Sequence, residues 1–382
     1  MRPFRIEIPD ADLRDLHRRI DDTRWPDELP GTGWERGVPL TYLKELATYW
    51  RHDFDWRAAE AELNSHPQFV DEIDGATVHF LHVRSPRPDA VPLLLTHGWP
   101  GSVAEFLDVI GPLTEPADGP AFHLVIPSIP GFGFSGHTRE AGWHPYRVAL
   151  AWAELMRRLG YGRYLVQGGD AGAVISLELA RLAPESVIGA HVNMLMAFPS
   201  GDPAELAGLP PSDLQRLAGL ARFDQELSGY MKLQSTRPQT LAYALTDSPV
   251  GQLAWIVEKF RDWTDSGQVP EDAVARDRML TNVSIYWLTA TAGSSARFYY
   301  EGAEGLRQAA EGHTPPPITV PVGVAVFPRD IFVPVRRLAD RDIPTITHWS
   351  EFDRGGHFAA LEQPELLVGD VRTFAGSLIS RT

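Results

Sequence analysis

The sequence predicts an α/β protein with a mainly parallel sheet. Short apolar runs alternate with amphipathic helical stretches from about residue 69 to 196, and the alternation resumes at residue 318. A stretch without strand signals separates these two parts and is predicted to be helical. The predicted segments are an N-terminal helical extension (1–72), the first part of the core (73–196), a helical lid inserted into the core (197–317) and the second part of the core (318–382).

Individual elements follow from the spacing of apolar residues. In the N-terminal extension, Leu13, Leu16 and Ile20 share one helical face. A hairpin is predicted over residues 69–83, turning at Asp74 and Gly75, because Asp-Gly favours a tight hairpin turn. The helices are predicted over residues 12–20, 42–50, 56–63, 146–159 and 364–379, and the core strands over 92–96, 123–127, 164–166, 187–194, 318–327 and 345–349.

Composition excludes several kinds of chemistry and argues against several partners. The net charge is −15, and no run rich in lysine or arginine offers a surface to nucleic acid or anionic lipid. The absence of cysteine excludes disulfides, thiolate catalysis and cysteine-zinc sites. Without a secretory apolar segment at the N-terminus or a run able to span a bilayer, the expected location is the cytoplasm. The basic residues include only 3 lysines, which favours a GC-rich bacterial source.

The most informative motif is Gly168-Gly169-Asp170-Ala171-Gly172, between an apolar strand and a helix-like stretch. In α/β-hydrolases the nucleophile lies at such a turn, in the pattern Gly-x-Ser-x-Gly. Asp170 stands where serine is usual, and a carboxylate is suited to displacement at a saturated carbon. The alternative, an aspartate in an ordinary surface turn, is less consistent with this context. An ester formed on Asp170 would need a water molecule and a general base for its hydrolysis.

The base and its orienting acid are expected later in the chain, because the order in this fold is nucleophile, acid, histidine. His357 follows the last predicted strand after Gly355-Gly356, whereas the other late histidines are His313 and His348. Asp330, after the strand that ends at Phe327, is the expected acid and would hold the imidazole in the correct tautomer. The rival acids are Asp202, Asp340, Asp342 and Asp353.

Two backbone N–H groups are predicted to form the oxyanion hole. One belongs to Ala171, directly after the nucleophile, and the other to Trp99 in the loop His97-Gly98-Trp99-Pro100. Because Trp99 precedes a proline, its backbone is restricted and the peptide bond is a candidate for the cis form. The alternative for the Trp99 side chain is plain core packing.

Taken together, these motifs resemble the microsomal-type epoxide hydrolases over essentially the whole chain. The resemblance implies an α/β-hydrolase core with a mainly parallel sheet, a helical lid and an N-terminal helical extension. It also places the charge-relay acid after a Phe-Pro pair, which is Asp330 here. The matching segments are Thr23-Arg24-Trp25-Pro26, His97-Gly98-Trp99-Pro100-Gly101-Ser102, Pro130-Gly131-Phe132-Gly133-Phe134-Ser135, Gly168-Gly169-Asp170 and Arg354-Gly355-Gly356-His357-Phe358-Ala359-Ala360.

The resemblance further implies that two lid tyrosines donate hydrogen bonds to the epoxide oxygen. They map to Tyr230 and Tyr299, with Tyr300 the nearest rival of the second. A neutral phenol can protonate the alkoxide that ring opening leaves. The substrate is expected to contact Trp99, Pro100 and Ala171. The resemblance implies an epoxide as the small-molecule partner and neither a cofactor nor a metal; a homodimer is plausible because relatives often self-associate.

One position departs from the family pattern. Relatives usually have tryptophan directly after the nucleophile, whereas this chain has Ala171. The missing indole predicts a roomier pocket and a bulky substrate, which favours natural-product tailoring, as in antibiotic pathways, over detoxification or catabolism. The alternative functions are a haloalkane dehalogenase, which often uses that tryptophan as a halide donor, and a non-catalytic binding protein, which would usually lack part of the triad.

Overall fold

The computed structural model describes residues 1–310 and 316–379 and has a mixed nine-stranded sheet at its centre. His313, Thr314 and Pro315, close to the predicted end of the lid at residue 317, lie outside the described residues. The strands are β1 (Arg2–Phe4), β2 (Gln68–Ile73), β3 (Ala76–Val83), β4 (Val91–Thr96), β5 (Phe122–Pro127), β6 (Tyr164–Gly168), β7 (Val187–Asn193), β8 (Val322–Val326) and β9 (Ile346–Glu351).

The strand order is β1-β2-β3-β5-β4-β6-β7-β8-β9. The neighbours β1-β2, β2-β3 and β3-β5 pair antiparallel. All the remaining neighbours in this order, from β5-β4 to β8-β9, pair parallel. The prediction of a mainly parallel sheet is therefore confirmed. Because β4, β6, β8 and β9 run in the same direction, the loops after their carboxyl ends meet at one edge, where sites in such sheets usually form.

Helices cover both faces of the sheet and form the segment between β7 and β8. Two apolar clusters lie on the two faces: one includes Trp152 and Ile175, and the other includes Leu113 and Phe374. The helices are α1 (Asp10–Asp21), α2 (Leu40–His52), α3 (Trp56–Leu63), α4 (Leu107–Thr114), α5 (Pro145–Arg158), α6 (Ala171–Leu182), α7 (Pro211–Arg222), α8 (Gly229–Thr236), α9 (Pro238–Asp247), α10 (Pro249–Asp262), α11 (Arg276–Leu288), α12 (Ala292–Ala310), α13 (Arg336–Asp342), α14 (Ala359–Glu362) and α15 (Pro364–Ile379).

Most predicted elements are found close to their expected bounds. The hairpin turns at Asp74 and Gly75, which both have a positive φ (49° and 77°) as a type I′ turn requires. Helices α3 and α15 begin and end where the apolar pattern places them. Strand β1 and helix α4 were not predicted, and each contains a proline that weakens the local signal: Pro3 in β1 and Pro112 in α4.

The N-terminal helices pack against the helices that follow β7. The indole N–H of Trp50 in α2 donates a hydrogen bond to the buried hydroxyl of Ser284 in α11, 2.9 Å away. Tyr49 donates to Asp277 at the start of the same helix, also at 2.9 Å. Near the end of α3, Glu62 forms an ion pair with Arg278 at 2.7 Å. The N-terminal extension therefore fixes the position of α11, which in turn contacts the site.

Within the residues that the structure describes, no helix is both long enough and apolar enough to cross a lipid bilayer.

Candidate active site

Asp170 lies at the sharp turn from β6 into α6. Its backbone has φ 50° and ψ −127°, a conformation that a residue with a side chain rarely adopts. Such strained residues concentrate at functional sites, where the surrounding structure holds them in place. The loop after β4 approaches so closely that a Cβ atom on Gly98 would collide with the Asp170 carboxylate. A glycine at position 98 is therefore required for this contact.

The predicted oxyanion-hole residues meet the Asp170 carboxylate. The backbone N–H of Trp99 donates a hydrogen bond to Oδ1 of Asp170 at 2.8 Å, and the N–H of Ala171 is a second backbone donor to this group. The Trp99–Pro100 peptide bond is cis. With Oδ1 held by Trp99, Oδ2 is the oxygen available for attack on a substrate.

Helix α11 holds the loop that contains Trp99. The Asn282 side-chain amide donates to the backbone carbonyl of Pro100 at 2.6 Å, and the Tyr286 hydroxyl donates to that of Gly101 at 2.7 Å. Both donors are buried. The oxyanion-hole donor therefore has a fixed position before any substrate binds, which is the arrangement that makes such donors effective in stabilising a developing charge.

His357 and Asp330 complete a chain of three side chains. Nε2 of His357 lies 3.6 Å from Oδ2 of Asp170, and Nδ1 lies 2.7 Å from Oδ1 of Asp330. The backbone N–H of His357 donates to the carbonyl of Trp263 at 2.8 Å, and the N–H of Ile331 donates to Oδ1 of Asp330 at 2.7 Å. The contacts at the His357 backbone and at Nδ1 therefore hold the imidazole with Nε2 directed towards the nucleophile.

The rival residues lie elsewhere. His348, in β9, hydrogen-bonds to Asp370 at 2.7 Å rather than to Asp330 or Asp170. Asp340 and Asp342 belong to α13. The side chain of Asp353 is 85% exposed, and Asp202 hydrogen-bonds to the backbone N–H of Ala204 on the surface. Among the described residues, the geometry thus favours Asp330 as the orienting acid and His357 as the base.

The charges at this site depend on one another. Burial lowers the pKa of the His357 imidazole, but the neighbouring carboxylates of Asp330 and Asp170 outweigh burial and raise it to about 9. Burial raises the pKa of the Asp170 carboxyl, and the His357 imidazolium counteracts part of this rise. The resting site therefore favours an imidazolium beside a carboxylate. If Asp170 became an ester, its charge would disappear and the pKa of His357 would fall.

Aromatic side chains cover the nucleophile on the side of the α7–α12 helices. The Tyr230 ring stacks on the Trp99 ring at 5.2 Å between centroids and 8° between planes. The Tyr299 ring stands edge-on to both, 5.7 Å from Trp99 and 5.9 Å from Tyr230. Tyr300, which the sequence offered as the alternative to Tyr299, is 52% exposed. Tyr230 and Tyr299, but not Tyr300, therefore pack against Trp99 beside Asp170. Tyr286 is a further tyrosine near Asp170, but its hydroxyl donates to the carbonyl of Gly101.

These two hydroxyls remain protonated at neutral pH. Burial raises the pKa of Tyr230 and of Tyr299 well above the ordinary value of a phenol, and the negative charge of Asp170 raises both further. A hydrogen bond from Tyr299 acts in the opposite direction on Tyr230. Both hydroxyls can therefore act as hydrogen-bond donors to an oxygen that becomes negative during a reaction.

Residues that sequence reasoning missed also contribute to the site. The Trp263 ring packs edge-on against His357, with 4.9 Å between the centroids. Glu105 and Asn193 line a cavity of about 10 Å³ together with Trp99, Asp170 and His357, but this wall includes neither Pro100 nor Ala171. Glu105 follows the Trp99 motif by only a few residues, but no sequence signal indicates that its side chain folds back to the nucleophile.

This arrangement can displace a group from a saturated carbon and then hydrolyse the resulting ester. Asp170 supplies the nucleophile, His357 a base, and the N–H groups of Trp99 and Ala171 a site for an oxyanion. The tyrosines supply protons to a leaving oxygen. Among the described residues, no group of three histidine, aspartate or glutamate side chains is placed to bind a metal ion.

Comparison with known families gives two overlapping matches, which together cover residues 1–221. Residues 1–106 match the family described as the epoxide hydrolase N terminus, and residues 91–221 match the family described as the alpha/beta hydrolase fold. The second match agrees with the observed sheet order and with the turn at Asp170.

Relatives extend the similarity over nearly the whole chain. A protein from Stigmatella aurantiaca, whose name assigns it provisionally to the epoxide hydrolases, is 48% identical over 97% of this chain and 83% of its own length. Epoxide hydrolase 1 from Sus scrofa is 38% identical over 99% of this chain and 89% of its own length.

A solved structure shows the same architecture. The juvenile hormone epoxide hydrolase of the silkworm Bombyx mori is similar to this chain with a TM-score of 0.92 and 31% identity, covering 99% of this chain and 95% of that one. The Aspergillus niger epoxide hydrolase has a TM-score of 0.87 and 32% identity, over 99% and 96% of the two chains. The chain therefore belongs to the epoxide hydrolase family, in the group that joins the epoxide hydrolase N terminus to an α/β-hydrolase fold.

Proposed function

We propose that this enzyme opens an oxirane to a vicinal diol in two steps, through an ester on Asp170. Oδ2 of Asp170 attacks one oxirane carbon while Tyr230 and Tyr299 donate hydrogen bonds to the ring oxygen. The bond between that carbon and the oxygen breaks, and the oxygen takes a proton from one of the two tyrosine hydroxyls to become the first hydroxyl of the diol. That tyrosine regains a proton when the His357 imidazolium gives up its own. Asp170 is left as a neutral ester.

Hydrolysis of the ester completes the reaction. Because the charge on Asp170 is gone, the pKa of His357 falls and the imidazole can accept a proton from water. The water oxygen attacks Cγ of Asp170, and the oxyanion on Oδ1 is held by the N–H groups of Trp99 and Ala171. The bond from Cγ to Oδ2 then breaks, and Oδ2 takes a proton from the imidazolium and leaves as the second hydroxyl. The remaining proton of the water passes to His357, which restores the Asp170 carboxylate and the imidazolium. Asp330 orients the imidazole throughout.

The observation that supports an epoxide rather than a haloalkane is the pair of tyrosines that faces the nucleophile. A departing halide needs no proton, whereas a departing alkoxide is a poor leaving group unless an acid stabilises it. Tyr230 and Tyr299 are neutral donors beside Asp170, so they can stabilise that oxygen. The residue after the nucleophile is Ala171, which lacks the indole N–H that a dehalogenase often uses.

Replacing either tyrosine tests this proposal. We expect Tyr230→Phe and Tyr299→Phe each to slow ring opening of styrene oxide by roughly 10²-fold or more, because each variant removes one donor to the leaving oxygen. Tyr300→Phe is the matched control, since this exposed ring should not affect the rate. The measurement is the single-turnover rate of ring opening, followed by diol analysis. Wild-type enzyme that releases chloride from 1-chlorobutane but forms no diol would contradict the proposal.

We further propose that the substrate is bulky, as an epoxide intermediate of natural-product biosynthesis would be, and that the enzyme acts in the cytoplasm, with a homodimer as its proposed assembly. Support for the substrate size comes from Ala171, which begins α6 with a methyl group where relatives usually have an indole.

A larger residue at position 171 should narrow the range of substrates. We expect Ala171→Trp to lower kcat/KM for trans-stilbene oxide by about 10-fold or more, and to leave styrene oxide within about 3-fold of wild type, because only the larger epoxide needs the space taken by the indole. Ala171→Ser, which adds little volume, is the control. The measurement is kcat/KM for both epoxides in all three proteins. Equal losses for both epoxides would contradict a role of Ala171 in admitting large substrates.

A further inference from the structure

The cavity beside the nucleophile has room for a single water molecule. Its volume is about 10 Å³, and its wall includes Asp170, His357, Glu105 and Asn193. A cavity of roughly this volume holds one water molecule when two or more polar groups face it. In the proposed second step, one water molecule must lie between Cγ of Asp170 and Nε2 of His357. The cavity is therefore in the correct place for the water that hydrolyses the ester.

The side chain of Glu105 can enter this cavity because residue 101, four positions earlier in the chain, is a glycine. Glu105 belongs to the short helix Val103–Phe106, and its carboxyl group occupies the space that a side chain on residue 101 would fill. Since Gly101 has no side chain, the carboxyl group can fold back beside the oxyanion loop. The backbone N–H of Ser102 donates a hydrogen bond to it. These contacts direct the carboxyl group towards Asp170 instead of towards solvent.

The state of this carboxyl group suits contact with water. Burial raises the pKa of Glu105 to about 8, the His357 imidazolium lowers it, and the Asp170 carboxylate raises it further. At neutral pH the group is mainly a neutral acid, with one O–H donor and a carbonyl acceptor. A water molecule in the cavity can therefore hydrogen-bond both to Glu105 and to His357. The proposed reaction gives Glu105 no other task.

The geometry points to Glu105 as the residue that holds the hydrolytic water against His357. This inference rests on the proposed ester at Asp170. One O–H of the water donates to Nε2 of His357, which takes that proton as the water oxygen attacks Cγ. The other O–H donates to the carbonyl oxygen of Glu105 and stays on the water oxygen until the carboxylate forms. Glu105 neither gains nor loses a proton over the step, so its effect is to position the water.

Substitution of Glu105 should slow the second step alone. We expect Glu105→Met, which has a similar volume but cannot hold the water, to open styrene oxide within about 3-fold of the wild-type rate and to hydrolyse the ester about 10- to 100-fold more slowly. The alkyl-enzyme should then accumulate in intact-protein mass spectra during turnover. Both kcat and KM should fall together, with kcat/KM nearly unchanged. Glu105→Gln, which keeps the acceptor, should stay close to wild type.

Glu362→Gln is the matched control for a buried carboxyl group near His357. Its two oxygens accept the backbone N–H groups of Asp265 and Phe358, at 2.8 and 3.0 Å, so its role is structural. This variant should lower stability without changing the ratio of ester formation to ester hydrolysis. If Glu105→Met does not fold, Glu105→Asp makes the same test, because its shorter side chain withdraws the carboxyl group from the cavity.

Three outcomes separate this inference from the proposed function. Hydrolysis of the ester at the wild-type rate in Glu105→Met or Glu105→Asp would overturn the role of Glu105. Equal slowing of both steps would also overturn it, because that result indicates a structural effect on the loop. If rapid-quench experiments on wild-type enzyme gave turnover without any ester on Asp170, the proposed function itself would fail.

Discussion

Asp170→Asn should lower the rate of diol formation by about 10⁴-fold or more. The neutral amide is a far weaker nucleophile than a carboxylate, and no other carboxylate accepts the Trp99 N–H in the oxyanion hole among the described residues. The fold should survive, because asparagine has nearly the same shape and tolerates a positive φ better than most residues. Its amide oxygen can still accept the Trp99 hydrogen bond. Diol formation from styrene oxide, measured at enzyme concentrations high enough to detect residual activity, gives the effect.

A mass measurement must accompany this experiment. Deamidation of the introduced asparagine would restore the wild-type enzyme and produce false activity, so the peptide containing residue 170 should be analysed before and after the assay. Asp353→Asn is the matched control, because that exposed carboxylate should have no effect on turnover. Near-wild-type activity of a protein that still contains the amide would show that Asp170 is not the nucleophile.

His357→Gln should stop the reaction after its first step. Glutamine cannot act as a base at neutral pH, so ester hydrolysis should slow by about 10³-fold or more while ring opening continues. The loss of the imidazolium removes a charge that lowers the pKa of Asp170, so the experiment should be run near pH 8 to keep that carboxyl ionised. The expected result is a protein whose mass has increased by that of one epoxide molecule, with the addition located on Asp170.

His348→Gln is the control for the loss of a histidine. His348, in β9, is hydrogen-bonded to Asp370 of α15, and its replacement should not cause the ester to accumulate. Asp330→Asn should give a weaker form of the His357→Gln result, because the imidazole remains but loses its orienting partner. A His357→Gln protein that still turns over at a substantial fraction of the wild-type rate would contradict the assigned role of His357.

The parts of the fold that the sequence predicts well are those with a local signal. The hairpin at Asp74 and Gly75 has a turn dipeptide between alternating strands, and α15 has a long apolar face that Pro364 begins. In contrast, β1 has only three residues and depends on pairing with β2. Helix α4 contains Gly111 and Pro112, and its formation depends on packing against α15 rather than on propensity.

The candidate site likewise has residues that the sequence indicated and residues that it did not. Asp170, Asp330 and His357 each follow a strand in the order that the fold requires. Chain order indicated Asp170 and His357, whereas the choice of Asp330 over its rivals also used the Phe-Pro pair of the family resemblance. Glu105 and Trp263 could not be found in this way. Glu105 reaches the nucleophile only because Gly101 leaves a space, and Trp263, at the end of α10, meets His357 through tertiary packing. The position of Glu105 depends on a contact within its own loop, and that of Trp263 depends on a contact between segments distant in the chain.

A single turnover in H₂¹⁸O is the most direct test of the covalent mechanism. With enzyme in excess over epoxide, the diol should contain no ¹⁸O, because both of its oxygens come from the oxirane and from Oδ2 of Asp170. The water oxygen should instead be found in the Asp170 carboxylate, in the peptide that contains this residue. The opposite distribution, with ¹⁸O in the diol and none in Asp170, would show direct attack of water on the epoxide and would contradict an ester on Asp170.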